Sequence, residues 1–172
     1  MDDVSVGKEF IARSRAYLTG DYLPKIRKAL QDLSPEDLWW RPNPASNSIG
    51  NLLLHLAGNV RQWVVSGIGG ARDRRRREEE FLADGAAHPA ELLTNLEEAL
   101  LEAEGVLGEL HPAELSGKRV IQGMEVSVLD ALYHVVEHFS THTGQILYIA
   151  KLRTGRDLAF WEIKGGKAIP RW

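Results

Sequence analysis

Apolar residues recur at helical spacing in four long stretches of this chain, and segments rich in proline, glycine and short polar residues separate them. The first stretch covers residues 5–32, where Phe10, Ile11, Tyr17, Leu18, Tyr22, Ile26, Ala29 and Leu30 follow the helical period. Gly20 and Pro24 interrupt it. Pro24 has no N–H to donate, so a kink or a restart near Asp21 is predicted. Ser34-Pro35-Glu36 reads as a cap followed by a first-turn proline, which predicts a short helical turn. Pro42 and Pro44 then force an extended connection. A second helix is predicted from about Ser48 to Ser66, with Ser46, Asn47 and Ser48 as caps and Gly67, Gly69 and Gly70 as terminators. A third spans residues 90–110 through Leu92, Leu93, Leu96, Leu100, Val106 and Leu107. The fourth, residues 127–154, is the longest uninterrupted pattern, and Gly155 is placed to stop it. "KRVIQGMEV" reads as a short extended hairpin. The aromatic tail "FWEIKGGKAIPRW" reads as a loop that packs back on the body.

Four amphipathic stretches without a clear sheet predict an all-α fold, a four-helix bundle, with residues 1–172 as one domain. Leu53, Leu56, Val60, Leu96, Val135, Phe139 and Ile146 are the expected core. The formal net charge of −3 gives no electrostatic reason to expect a nucleic-acid partner. No apolar run approaches the ~20 residues that span a bilayer, so no membrane partner is expected. The acidic start, "MDDVSVGKEF", carries no export signal, and a cytoplasmic location follows as the expectation. The chain has no cysteine, so a transition-metal site must use nitrogen and oxygen ligands.

"RDRRRREEEF" is the one charge run. Arg74, Arg75 and Arg76 each meet a glutamate four residues on, which predicts a solvated, self-paired helical face; an anion-binding role for one arginine is the alternative. "SGIGGA" follows a helix and reads as a terminator rather than a phosphate loop. Trp39 and Trp40 read as packing residues, because no basic groove accompanies them.

Half of the six histidines fall within "HVVEHFSTHTGQI", as His134, His138 and His142. Their four-residue spacing spreads them over about 80° of one helix, along the edge of its buried stripe. Glu137 adjoins His138 but points about 100° away, as a surface carboxylate. His55 lies on the flank of the second helix, with Asn59 one turn on. Two histidines one turn apart can share an ion, and a third from another helix completes a three-histidine site with an open position. Spacing leaves open which two of the three clustered histidines take part. Competition from protons would release such an ion as pH falls through roughly 6. His88 and His111, each before a proline, read as connecting residues without chemistry.

"NSIGNLLLHLAGNVRQW", "RDRRRREEEF" and "HVVEHFSTHTGQI" together resemble the DinB-like, or YfiT-like, superfamily of metal-dependent enzymes, over most of the chain. The resemblance implies a bundle in up-down-down-up order and a homodimer. It implies a divalent ion, zinc or nickel, held by His55, His138 and His142. His134 then falls one turn farther out, and His134, Gln145 and Asn59 become candidates to orient a ligand or substrate. Characterised relatives include transferases of low-molecular-weight thiols and a thiol-dependent isomerase. The implied function is a metal-dependent enzyme that activates a small-molecule thiol or water, in the manner of a thiol transferase or a hydrolase. Any such thiol must come from elsewhere. The competing reading is a non-catalytic metal- or ligand-binding bundle linked to stress.

Overall fold

A widened helical stretch precedes Pro24, where a kink or a restart near Asp21 is expected, and α-helix resumes at Leu23. In the computed structural model, which describes residues 3–31, 33–85 and 87–172, α1 (Asp3–Arg15) runs through a π-helical stretch (Ala16–Tyr22) into α2 (Leu23–Leu30). The Leu23 N–H reaches back five residues to the Leu18 carbonyl, so the chain gains a residue per turn just before the proline and continues. Helix ends at Leu30; the expected end, residue 32, lies outside the described residues.

A short α3 (Pro35–Trp39) follows, capped by Ser34, whose Oγ accepts from Asp37 N–H. The second long helix is α4 (Ile49–Val60), which continues as a π-helical stretch (Arg61–Ile68). Ser48 and Asn51 form its capping box. A short α5 (Arg77–Leu82) precedes the third long helix, α6 (Pro89–Glu109), and a single 3-10 turn (Pro112–Glu114). His88 and His111 are N-caps: each Nδ1 accepts from a backbone N–H two residues on, at 3.3 and 3.2 Å. The strands β1 (Lys118–Ile121) and β2 (Met124–Ser127) form the expected hairpin, turning at Gln122 and Gly123, both at positive φ. The last long helix is α7 (Val128–Thr154), closed by Gly155 in the left-handed conformation.

The tail departs from the expected loop. β3 (Trp161–Lys164) and β4 (Lys167–Pro170) form a second antiparallel hairpin, joined at Gly165-Gly166 with every strand residue exposed. Two adjacent glycines at positive φ supply the tight turn that pairs the strands. Only the ends of the tail pack back. Lys28 Nζ donates to the Ala159 carbonyl at 3.1 Å, and Trp172 Nε1 donates to the Gly20 carbonyl at 3.2 Å.

The protein is mostly helical, and its core lies between the long helices. α4 packs against α6 on one side and α7 on the other, while α2 lies against α7 and touches α6. All seven expected core residues are fully buried. On α7 the buried positions Val128, Leu132, Val135, Phe139, Ile146 and Ala150 form a stripe that faces the neighbouring helices, and this sets which flank turns toward α4. Trp39 and Trp40 pack as read: Trp39 Nε1 donates to the Ala87 carbonyl, and the Arg153 guanidinium lies over Trp40. No helix among the described residues is long and apolar enough to cross a membrane.

Candidate metal centre

α4 and α7 bring His55 against His138 and His142. The Nε2 atoms of His55 and His138 are 3.0 Å apart, and those of His138 and His142 are 3.2 Å apart. One ligand nitrogen from each of the three lies within 4.8 Å of the others. His55 is buried, and His138 and His142 are half-buried. Four-residue spacing on α7 sets the last two one turn apart, with their rings edge to face and centroids 4.4 Å apart.

The outer nitrogens decide what the inner ones present. Nδ1 of His55 lies 2.9 Å from Oε2 of Glu80. A carboxylate only accepts, which calls for the His55 proton on Nδ1 and a lone pair at Nε2. Arg75 Nη2, also 3.0 Å from Nδ1, can only donate, and its two N–H groups have acceptors in Glu80 Oε2 at 2.8 Å and the His55 carbonyl at 3.4 Å. Nδ1 of His142 is 2.7 Å from Oε1 of Gln145, which assigns the same tautomer there. Two lone pairs thus point at His138. Its Nδ1 is buried with no partner among the described residues. A neutral His138 could offer one proton to two acceptors. A cation satisfies all three nitrogens at once. Metal–imidazole bonds of ~2.0–2.1 Å place neighbouring nitrogens roughly 2.9–3.4 Å apart, depending on coordination geometry. The two Nε2–Nε2 separations through His138 fall in that range, and with all three nitrogens within 4.8 Å of one another the residues fit a divalent ion.

His134 adjoins the group without converging on it. Its ring lies tilted against Trp63, centroids 4.1 Å apart, and its Nε2 is 3.4 Å from Nδ2 of Asn59. Oδ1 of Asn59 and Nε1 of Trp63 are also buried without partners among the described residues. Glu137 is exposed and accepts from Thr141, as its position on the wheel predicts.

Burial pushes the imidazoles of His134 and His142 below their ordinary range. His138 is pushed down to about 3, by burial first and then by its proximity to His142 and His55. Neutral rings at neutral pH keep their lone pairs. The proton competition expected near pH 6 from the sequence therefore moves lower, because a buried ring is a poor proton acceptor.

The charge run corrects the sequence reading. Residues 71–76 are not helical, so four-residue pairing does not arise. Arg76 meets Glu79 at the surface at 3.1 Å, while Arg75 turns inward to Glu80, five residues on. Asp73 Oδ1 accepts from Arg75 N–H at 2.9 Å and starts the inward turn. Arg75 Nε and Nη2 grip the two carboxylate oxygens at 2.7 and 2.8 Å. Burial alone would raise the Glu80 carboxyl; the Arg75 fork and the His55 N–H outweigh it and hold it below the usual carboxylate range. Neither residue stands out from the surrounding arginines and glutamates in the sequence.

Beyond Gln145 lies a cleft of about 390 Å3, lined by Trp40, Pro42, Asn47, Leu52, Gln145 and Tyr148 among others. None of the three histidines lines it; Gln145, whose Oε1 meets His142, is the residue it shares with the histidine group.

A family model described as a protein of unknown function, DUF1572, matches residues 5–167. A solved DinB-like protein from Bacillus cereus ATCC 10987 superposes with a TM-score of 0.63 at 16% identity, over 86% of this chain and 93% of that one. A conserved protein from Enterococcus faecalis superposes with a TM-score of 0.62 at 15% identity, over 91% and 99%. At these identities the likeness shows the fold. None of the curated proteins matches the sequence.

Proposed function

This chain belongs to the DUF1572 family and has the DinB-like fold, and from that premise we propose that it is a divalent-metal-dependent enzyme whose ion is held by His55, His138 and His142. The observation that carries this is the convergence of three ring nitrogens, two of them fixed as lone pairs by Glu80 and Gln145. Zinc or nickel suits an all-nitrogen set. When bound, such an ion lowers the pKa of a coordinated water or small-molecule thiol and supplies a nucleophile near neutral pH. Three neutral imidazoles leave the ion its full charge, which favours that role.

The protein's own groups do the rest. Glu80 and Gln145 hold His55 and His142 in their tautomers. His134 and Asn59 flank the site and can orient a polar group. The cleft at Gln145 offers apolar walls for an electrophilic substrate attacked in a thiol-transferase-like or hydrolase-like reaction. The same reading takes the chain as one domain, 1–172, a four-helix bundle in up-down-down-up order in the cytoplasm. It also takes it as a homodimer, for which the exposed Leu129 and Tyr133 of α7 supply apolar surface.

The test begins with metal analysis of freshly purified protein and calorimetric titration of the stripped protein with zinc and nickel. Tight binding of one ion, lost in His138→Ala, supports the reading; absence of binding overturns it. The loaded protein is then assayed with a panel of thiols and electrophiles. Turnover that survives both chelation and His142→Ala would remove the metal from the mechanism. Tight binding without turnover, and with the position facing solvent blocked, would make the protein a metal-binding module.

A further inference from the structure

The five arginines between Arg72 and Arg77 and the three glutamates that follow are chemically interchangeable in the sequence, yet the fold buries one of each. The Arg75 side chain is 3% exposed and that of Glu80 is 10% exposed. Both stand behind the outer nitrogen of His55. Glu80 Oε2 is 2.9 Å from Nδ1 and can only accept from it. Arg75 Nη2 passes 3.0 Å from the same atom and donates instead to Glu80 Oε2 at 2.8 Å and to the His55 carbonyl at 3.4 Å.

We propose that the Arg75–Glu80 pair is a positioning device that fixes the tautomer and orientation of His55 and thereby sets the affinity of the three-histidine centre for its ion. This rests on the metal-binding reading given above. A carboxylate behind a ligating imidazole holds the ring and raises its basicity, but a buried carboxylate without a counter-charge is costly. The bidentate Arg75 fork removes that cost while leaving Oε2 able to accept from His55.

Everything around the pair holds it in place. Asn51, fully buried in the α4 capping box, donates from Nδ2 to the backbone carbonyls of Glu80 and Ala83, both at 2.9 Å. Arg75 Nη1 donates to Gln62 at 2.9 Å, one helical segment beyond His55. Gly58, one turn from His55, leaves the space that the carboxylate fills. The three ligand candidates are therefore unequal. A buried ion pair backs His55, a single amide backs His142, and Nδ1 of His138 has no partner among the described residues.

The test separates positioning from simple tethering of the 71–76 segment. Cobalt(II) affinity and its visible spectrum are measured for the wild type, Glu80→Leu, the charge-neutral double variant Arg75→Met/Glu80→Leu, and the surface control Glu79→Gln. Nitrogen-15 spectra of the stripped proteins report the His55 tautomer. The double variant avoids leaving a buried guanidinium without its carboxylate, so it is expected to fold even where Glu80→Leu does not. The expected result is a single Nδ1–H tautomer of His55 in the wild type and in Glu79→Gln. In the Glu80 variants that tautomer is lost, and cobalt affinity is weaker by about 10- to 100-fold. A folded double variant with wild-type tautomer and wild-type affinity overturns the proposal. So does a wild type whose His55 carries its proton on Nε2. If the wild type binds no cobalt, the metal reading fails separately, and the tautomer alone decides whether Glu80 positions His55.

Discussion

A methyl group on Gly58 would overlap Oε1 of Glu80: helix α4 has no side chain at the point where the buried ion pair crosses behind His55. Gly58→Ala is favoured by helix propensity and opposed by that overlap, and the overlap wins. Overpacking of this kind costs about 1–3 kcal/mol against a propensity gain of ~1 kcal/mol. The expected outcome is net destabilisation together with weaker metal binding. Urea denaturation and metal titration check both.

Metal should stabilise the native protein, because the unfolded chain does not hold the three imidazoles together. At an ion concentration a hundred times Kd the gain is about 2.7 kcal/mol. His142→Ala should remove most of that gain. His88→Ala should keep all of it and lose about 1 kcal/mol of baseline stability, through the lost cap on α6. Thermal melts with and without added zinc distinguish the two variants.

Phe139 follows His138 on α7 and belongs to the core, fully buried and stacked on Tyr22 at 5.9 Å. Phe139→Ala should cost about 3–5 kcal/mol. A folded Phe139→Leu should keep near-wild-type metal affinity, since the histidines sit on the neighbouring flank. Chemical denaturation and titration of both variants give the comparison.

Asp37 ties α3 to the end of α7, with Oδ1 2.7 Å from Arg153 Nε and Oδ2 2.8 Å from Ser34 Oγ. Hydrogen bonds from Ser34 and then Arg153 hold its carboxyl below the ordinary value. A lowered folded-state pKa means the unfolded chain binds the proton more readily. Its stabilising contribution is therefore complete above the unfolded pKa of about 4, and is lost as pH falls through the folded value. Asp37→Asn should lower stability at pH 7 by about 1 kcal/mol and flatten the acid limb below about pH 4. Urea midpoints from pH 7 to 2.5 would show this; an unchanged acid limb would refute it.

Local chemistry in the sequence was enough to place the long helices and their apolar faces. Periodicity marked α4, α6 and α7 to within a few residues, the β1–β2 turn was readable at Gln122-Gly123, and the seven expected core residues are buried. The spacing of His134, His138 and His142 put them on one face, because that follows from the helical repeat alone. Three things required the tertiary structure. Spacing could not say which histidines meet His55; that depends on how α4 packs against α7, which turns His138 and His142 inward and leaves His134 against Trp63. The π-helical widening before Pro24 is another, because local sequence does not distinguish a widened helix from a kinked or restarted one. Arg75 and Glu80 were hidden among like neighbours: burial is a property of the folded surface, and only the turn at Asp73 and the gap at Gly58 select one arginine and one glutamate to stand behind His55.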